Sequence, residues 1–353
     1  RVGVKSGGCA GMSYVMEYAK DIKPNEEIVE DKGVKVLIDP KAIMYLLGTE
    51  MDYKKEKFSS QFVFKNPNLI QENYKEVLKQ LAVSSYSKKQ LEFLENNSNI
   101  ELVHYNNSSW RMSKFINGKT YDVCKSLEMA HSAAKSLAEF HVSLIGLDYN
   151  RINEPIKDFC NFNNRIQQYR KSTVHGDSFR LKNSQDLIGE IESNLKYIHD
   201  YIEMEKDIKK RIIHGDPKVS NFLFDDKTHK VISIIDIDTI MPGSILFDFG
   251  DMVRSFANRS HEDSQIKERI FNPDIYNALK EGYLSEANEF LSPIEKESLD
   301  LSALTVALIQ CIRFLTDYYN LDVYYHVNEP EHNLKRAINQ FSFFKELKAN
   351  LKS

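Results

Sequence analysis

Asp216, Asn221 and Asp236 are the residues of this chain whose kinds and spacing could do chemistry. Asp216 ends the string Ile213-His214-Gly215-Asp216, Asn221 follows in the same loop, and Asp236 sits inside Ile234-Ile235-Asp236-Ile237-Asp238. A loop carboxylate behind an apolar strand can take the proton of an attacking hydroxyl. An amide oxygen and a second carboxylate make a hard-oxygen seat for Mg2+. Transfer of a phosphoryl group from ATP needs that set. Lys218 is the expected cation beside the transferring group, and His214 is expected to support the loop backbone rather than react. Any one of these residues could belong to an ordinary polar hairpin; their combined spacing is specific.

The elements that must position them fall into zones. Residues 1–68 read as β-rich, with Val2-Gly3-Val4 and Tyr14–Tyr18 flanking a Gly-rich turn and Val34–Ile38 stopped by Asp39-Pro40. Asn66-Pro67-Asn68 predicts entry into a helix over Leu69–Leu81. Ile100–His104 and Trp110–Ile116 read as paired strands joined by Asn106-Asn107-Ser108, with Trp110 as a packing residue. From Ser126 helix dominates, apart from a hairpin at about 211–238.

Bulk composition narrows the classes. With 353 residues, 42% hydrophobic and 28% charged, the chain reads as an ordinary globule of two or three domains. Lys plus Arg (47) nearly balance Asp plus Glu (51), which argues against a nucleic-acid partner or an anionic membrane. No apolar run is expected to span a bilayer. Cys9, Cys124, Cys160 and Cys311 are too scattered for a disulfide framework, and a reducing cytoplasm fits them best. Residue 1 is Arg, so the natural start is expected to be missing or processed. Oligomeric state is left open.

His214-Gly215-Asp216, Asn221 and Asp236 together resemble the aminoglycoside phosphotransferase and choline kinase superfamily. Ile235–Arg254, Trp110-Arg111-Met112, Arg313–Tyr319 and His332–Ala337 look like its N-acetylhexosamine 1-kinase branch, over residues 62–345. The resemblance implies ATP- and magnesium-dependent phosphorylation of an alcohol group, the anomeric hydroxyl of an N-acetylated sugar, with Asp216 as base and Asn221 and Asp236 on the metal. It implies a nucleotide site using backbone groups at Ser113, Lys114 and Phe115. Acceptor candidates are Asp248, Asp251 and Arg254, three apart on a helix starting near Phe249, and Arg313 and Asp317 on the long C-terminal helix. The bland alternative makes these acids and arginines buried ion pairs, and Tyr324-Tyr325-His326 core packing.

The N-terminal zone resembles a different family. Gly3–Tyr14, Glu30–Val36, Gly48–Tyr53 and Phe62–Asn68 are similar to A-type iron–sulfur carrier proteins, with Cys9 at the first cluster-ligating position. The carrier's Cys-Gly-Cys pair should follow Asn68, yet the next cysteine is Cys124. A cluster uses about four cysteines, so the carrier activity is expected to be crippled. The expected fold is α+β: a truncated carrier-like segment (1–68), a remnant of a kinase small lobe (69–120), and a helical, protein-kinase-like C-terminal lobe (121–353). The only Gly-rich segment ahead of the catalytic zone is a poor phosphate cradle, so nucleotide binding is expected to be impaired. Two sequences joined at Phe64–Pro67 predict a chimera, by gene fusion or, the favoured reading, by a joining artefact. The alternatives are an iron–sulfur assembly module carrying a degenerate kinase domain, and a pseudokinase-like sugar-binding protein.

Overall fold

Short β-branched runs separated by Gly, Asp and Pro make the strands of the first part of the chain, and helical apolar periodicity takes over later. The computed structural model describes residues 2–6, 12–16, 19, 21, 26–31, 34–38, 50–55, 60–65, 67–95, 101–105, 108–260 and 269–352. It divides the chain into two units, Arg1–Asn68 with His104–Ser109, and Leu69–Val103 with Trp110–Ser353.

In the first unit β1 (Val2–Ser6) pairs antiparallel with β2 (Met12–Met16), and β3 (Glu27–Asp31) with β4 (Val34–Ile38). β1 meets β4 in parallel through Val2 and Ile38, giving the order β2-β1-β4-β3. β5 (Glu50–Lys55) and β6 (Ser60–Lys65) form a separate antiparallel hairpin. Cys9 and the glycines beside it lie outside the described residues.

Helix α1 (Pro67–Val83) begins on Pro67, whose missing N–H would have no partner in a first turn anyway, and it buries Tyr74, Val77 and Leu81. β7 (Leu102–Tyr105) pairs with β8 (Ser108–Arg111), so the strand expected to reach Ile116 stops early. Its continuation turns to residues 92–94: Leu94 N donates to Met112 O and Lys114 N to Glu92 O, both at 2.8 Å. Trp110 is 61% exposed and therefore not the packing residue that its type suggested.

The rest of the second unit is mostly helix: α2 (Leu127–Ser143), α3 (Phe162–His175), α4 (Ser178–Asn183), α5 (Gln185–Glu192), α6 (Lys196–Glu205), α7 (Ile245–Phe256), α8 (Pro273–Ala287), α9 (Pro293–Glu297), α10 (Leu299–Tyr319) and α11 (His332–Asn350). The ends carry their own signals. Ser126 Oγ accepts from Met129 N, Asn272 Oδ1 caps a helix that opens on Pro273, and Ser292 with Glu295 forms a reciprocal capping box. α10 is apolar nearly all round, and its buried faces pack against α3, α6, α7 and α11. By length and composition it could cross a membrane, contrary to the sequence expectation, but 78% of its apolar stretch is buried within the protein. Between α6 and α7 the chain forms two short ladders, β9 (Arg211–Ile213) with β12 (Met241–Gly243), and β10 (Phe222–Phe224) with β11 (Val231–Ile234). The loops of these ladders carry Asp216, Asn221 and Asp236.

Candidate active site

β9 delivers the chain into the 214–221 loop, and α7 holds that loop from beneath. Asp248, fully buried on the first turns of α7, accepts from His214 N at 2.7 Å through Oδ2 and from Gly215 N at 2.8 Å through Oδ1. His141 on α2 adds Nε2 at 2.9 Å from the same Oδ2, and its Nδ1 lies 2.9 Å from the Tyr283 hydroxyl. His214 Nε2 lies 3.0 Å from the Ile235 carbonyl oxygen, which can only accept, so that nitrogen carries the proton. Its Nδ1 is left to accept from Asp216 N at 3.3 Å. Gly215 has φ +85°, and a Cβ there would fall 2.5 Å from the Thr239 carbonyl oxygen. Thr239 in turn donates its hydroxyl to His214 O at 2.8 Å.

Above this footing the polar side chains meet. Lys218 Nζ donates to Asp216 Oδ2 at 2.6 Å, and Asn221 Nδ2 donates to Asp216 O at 2.7 Å and to Oδ2 at 3.1 Å. Ile235 N donates to Asn221 O at 2.9 Å, which brings Asp236 beside the asparagine. Asp236 takes a left-handed conformation, φ 60° and ψ 60°, at the end of β11, and its side chain is exposed. Strained backbone of this kind persists where the surroundings enforce it. Asn221 Oδ1 receives no hydrogen bond from the described residues, and an amide oxygen and a carboxylate are the kinds of ligand that suit Mg2+. Burial works against the Lys218 ammonium, but the carboxylates of Asp216, Asp236 and Asp251 outweigh it and raise its pKa above the ordinary value.

Asp216 and Lys218 open onto a cavity of about 510 Å³ whose wall includes Asp251, Arg254, Arg313, Tyr324, Tyr325 and His326. Arg254 Nε donates to Asp251 Oδ1 at 2.6 Å, one helical turn away. Burial pushes the Asp251 carboxyl up to about 6 against the pull of that guanidinium, and its Oδ2 is buried without a hydrogen-bond partner. Arg313 reaches the wall from α10, with its guanidinium 5.0 Å from the centre of the Phe159 ring.

Residues 61–283 match the phosphotransferase enzyme family. The chain belongs to that family. Residues 1–73 match a second family, iron-sulphur cluster biosynthesis, so the two overlap on residues 61–73. Over 68 residues the chain is 60% identical to an uncharacterized protein of Rickettsia prowazekii and 53% identical to the iron-sulfur assembly protein IscA-like 3, mitochondrial, of Arabidopsis thaliana. Each alignment takes in 19% of this chain, which spans 62% of either relative's length. An aminoglycoside phosphotransferase from Alicyclobacillus acidocaldarius shares the fold with a TM-score of 0.55 and 15% identity, covering 95% of this chain and 94% of that one. The molecule is thus a kinase-like phosphotransferase preceded by an IscA-like segment.

Several positions in this phosphotransferase differ from their sequence expectation. Asp248 does not line the cavity: α7 starts at Ile245 rather than near Phe249, and its turn aims Asp248 at the loop backbone. Asp317 is likewise an anchor, accepting from Tyr324 N at 2.8 Å, Tyr325 N at 2.9 Å and Asn333 Nδ2 at 2.9 Å. It holds the 324–326 turn, which expectation assigned to core packing, on the cavity wall. Ser113, Lys114 and Phe115 lie away from the cavity; the Lys114 N–H is taken by Glu92, and Phe115 is 87% exposed. His141, Arg336 and Gln310 were missed. His141 is buried with Ser136 and Ser143 among the apolar residues of α2, Gln310 sits among ordinary residues of α10, and Arg336 lies within the His332–Ala337 stretch that carried the family resemblance but was not singled out there as a site residue.

Cysteine chemistry bears on the IscA-like segment. Burial raises the Cys124 thiol to about 11 and the Cys160 and Cys311 thiols further above their ordinary value. Cys9 lies outside the described residues, and Cys124, Cys160 and Cys311 are free cysteines of the other unit.

Proposed function

We propose that this phosphotransferase is an ATP-dependent kinase acting on a hydroxyl of a small sugar, an N-acetylhexosamine at its anomeric position. The observation that carries the reading is the hydrogen-bonded set of Asp216, Lys218 and Asn221, of which Asp216 and Lys218 line a polar cavity of monosaccharide-compatible size. Asp216 takes the acceptor hydroxyl's proton as that oxygen bonds to the γ-phosphorus. The bond to the β–γ bridging oxygen breaks, and its electron pair leaves with ADP. Lys218 supplies fixed positive charge beside the transferring group. Asn221 Oδ1 and the Asp236 carboxylate would hold Mg2+, which neutralises charge on the phosphates when bound. Asp251 with Arg254, together with Arg313, offers acceptors and donors for sugar hydroxyls and an N-acetyl carbonyl. The choice of an aminosugar rests on the resemblance of Asp236–Gly243 and Arg313–Tyr319 to the N-acetylhexosamine kinase branch.

The test is magnesium-ATP turnover with a panel of N-acetylhexosamines, other sugars, aminoglycosides and choline. Asp216→Asn is expected to lower kcat by about 10²–10⁴-fold, the usual range for a lost general base, while substrate binding persists. Equal turnover in Asp216→Asn would refute the assignment of the base. Preference for choline or an aminoglycoside would refute the aminosugar.

A further inference from the structure

Behind the wall formed by Arg313, Tyr324 and Tyr325 lies a second cavity of about 460 Å³, between α3 and the C-terminal end of α10. Its lining is basic. α3 contributes Arg165, Lys171 and His175, which recur at helical spacing along one face, and α10 contributes Arg313. The only carboxylate among the described lining residues is Asp317, and its oxygens already accept from two backbone N–H groups and the Asn333 amide.

The two half-buried arginines lack the carboxylate partners that guanidinium groups withdrawn from water ordinarily keep. Neither makes an ion pair with any described carboxylate. Arg165 donates only to neutral oxygens, Gln168 Oε1 at 3.1 Å and Phe159 O at 3.4 Å, and its buried Nε has no hydrogen-bond partner. Arg313 donates to Gln310 Oε1 at 3.0 Å and stacks by Phe159 and Tyr325, with ring centres 5.0 and 5.9 Å from its guanidinium carbon. Burial and the neighbouring Arg313 both lower the Arg165 pKa, whereas for Arg313 itself the nearby Tyr325, Tyr324 and Asp251 outweigh burial and raise it. Lys171 and His175 at the rim also have no carboxylate at ion-pair distance among the described residues. This local excess of positive charge occurs in a chain whose formal net charge is −4.

We propose that this cavity is a phosphate-binding site, in which a phosphate group, free or carried by a small molecule, sits between Arg165 and Arg313 with Lys171 at the rim. Guanidinium forks match the spacing of phosphate oxygens, and the orphaned Arg165 Nε is a donor waiting for such an acceptor. The site does not depend on the catalytic assignment of Asp216.

Calorimetric titration of the full chain tests it with two probes, inorganic phosphate and glycerol 3-phosphate, the latter against glycerol. Binding of inorganic phosphate would identify the free ion as a sufficient ligand. Binding of glycerol 3-phosphate alone would assign the site to a carried phosphate. In either case Arg165→Gln is expected to raise Kd by about tenfold or more, the worth of one charge-assisted contact. Lys171→Gln is an exposed change that leaves folding intact, and it is expected to raise Kd about threefold, as a rim charge does. Asp216→Asn should bind phosphate as the unaltered chain does, which separates this site from the reaction centre. The proposal is overturned if neither probe binds, if both basic-residue variants bind like the unaltered chain, or if Asp216→Asn abolishes binding.

Discussion

Asp248 shows how a single buried carboxylate can hold in place a loop whose cavity it does not line. Its oxygens satisfy the His214 and Gly215 N–H groups, which have no strand partner at the point where β9 ends and the catalytic loop begins. Asp248→Ala would leave two buried donors and His141 without an acceptor. Stability should fall by about 3–5 kcal/mol in denaturant unfolding, as when one member of a buried charged pair is removed. Asp248→Asn, which keeps one oxygen in place, should recover part of that loss; equal stability of the alanine variant would contradict the anchoring role. A second carboxyl makes a pH-dependent contribution. Burial raises Glu205 from 4.5 to about 7, against the attraction of Lys210. The folded state therefore holds a proton that the unfolded state releases, and stability falls as pH rises from about 4.5 to 7. Glu205→Gln should remove that fall, stabilising the protein at pH 8 by on the order of 1–2 kcal/mol after discounting for partial exposure, with no gain at pH 4. Midpoints in urea at the two pH values provide the measurement.

Helix contacts set the frame into which these residues fit. α2 presents Ala130, Ala133, Ala134 and Ala138, all fully buried, and α8 approaches it closely enough that a Cβ on Gly282 would lie 2.4 Å from the His131 carbonyl oxygen. Gly282→Ala should therefore separate the two helices and cost about 1–3 kcal/mol, the range for overpacking, measurable as a lowered Tm. His141 rides on α2 and Tyr283 on α8, so this variant should also weaken the footing of the catalytic loop and lower kcat. Unchanged Tm would mean that the helix contact relaxes freely. At this scale the sequence was informative where signals are local: Asn66-Pro67-Asn68 and Ser126 both mark helix starts. It misled at residues 110–116, where aromatic and β-branched residues favoured one strand, but the backbone of Met112–Lys114 bonds to residues 92–94 instead. Such pairing depends on a segment distant in sequence, which periodicity does not register.

For the whole molecule, the IscA-like segment and the phosphotransferase are separate units with a match to each family overlapping on 61–73. Three of the four cysteines belong to the phosphotransferase unit, where burial raises their thiol pKa values. Anaerobic reconstitution with iron and sulfide should consequently leave no stable cluster after desalting, because Cys9 alone cannot supply the ligands of one. Visible charge-transfer absorption that disappears in Cys9→Ser would reverse this conclusion. Phosphotransfer, by the same reasoning, should be insensitive to Cys9→Ser.

By itself the sequence determined the β-rich beginning, the helical remainder, the hairpin that carries Asp216, Asn221 and Asp236, and the two family likenesses, because turn residues, helix caps and loop spacing act over a few neighbouring positions. Tertiary structure decided which acids serve the cavity and which serve the backbone. Asp248, Asp251 and Asp317 are alike in type and all sit on helices, yet Asp251 faces the cavity beside Arg254 while Asp248 and Asp317 hold loops through buried hydrogen bonds. The same holds for Arg165 and Arg313, far apart in the chain and adjacent only because α3 packs on α10. A carboxylate or a guanidinium takes its role from what surrounds it, and those surroundings come from packing between distant segments.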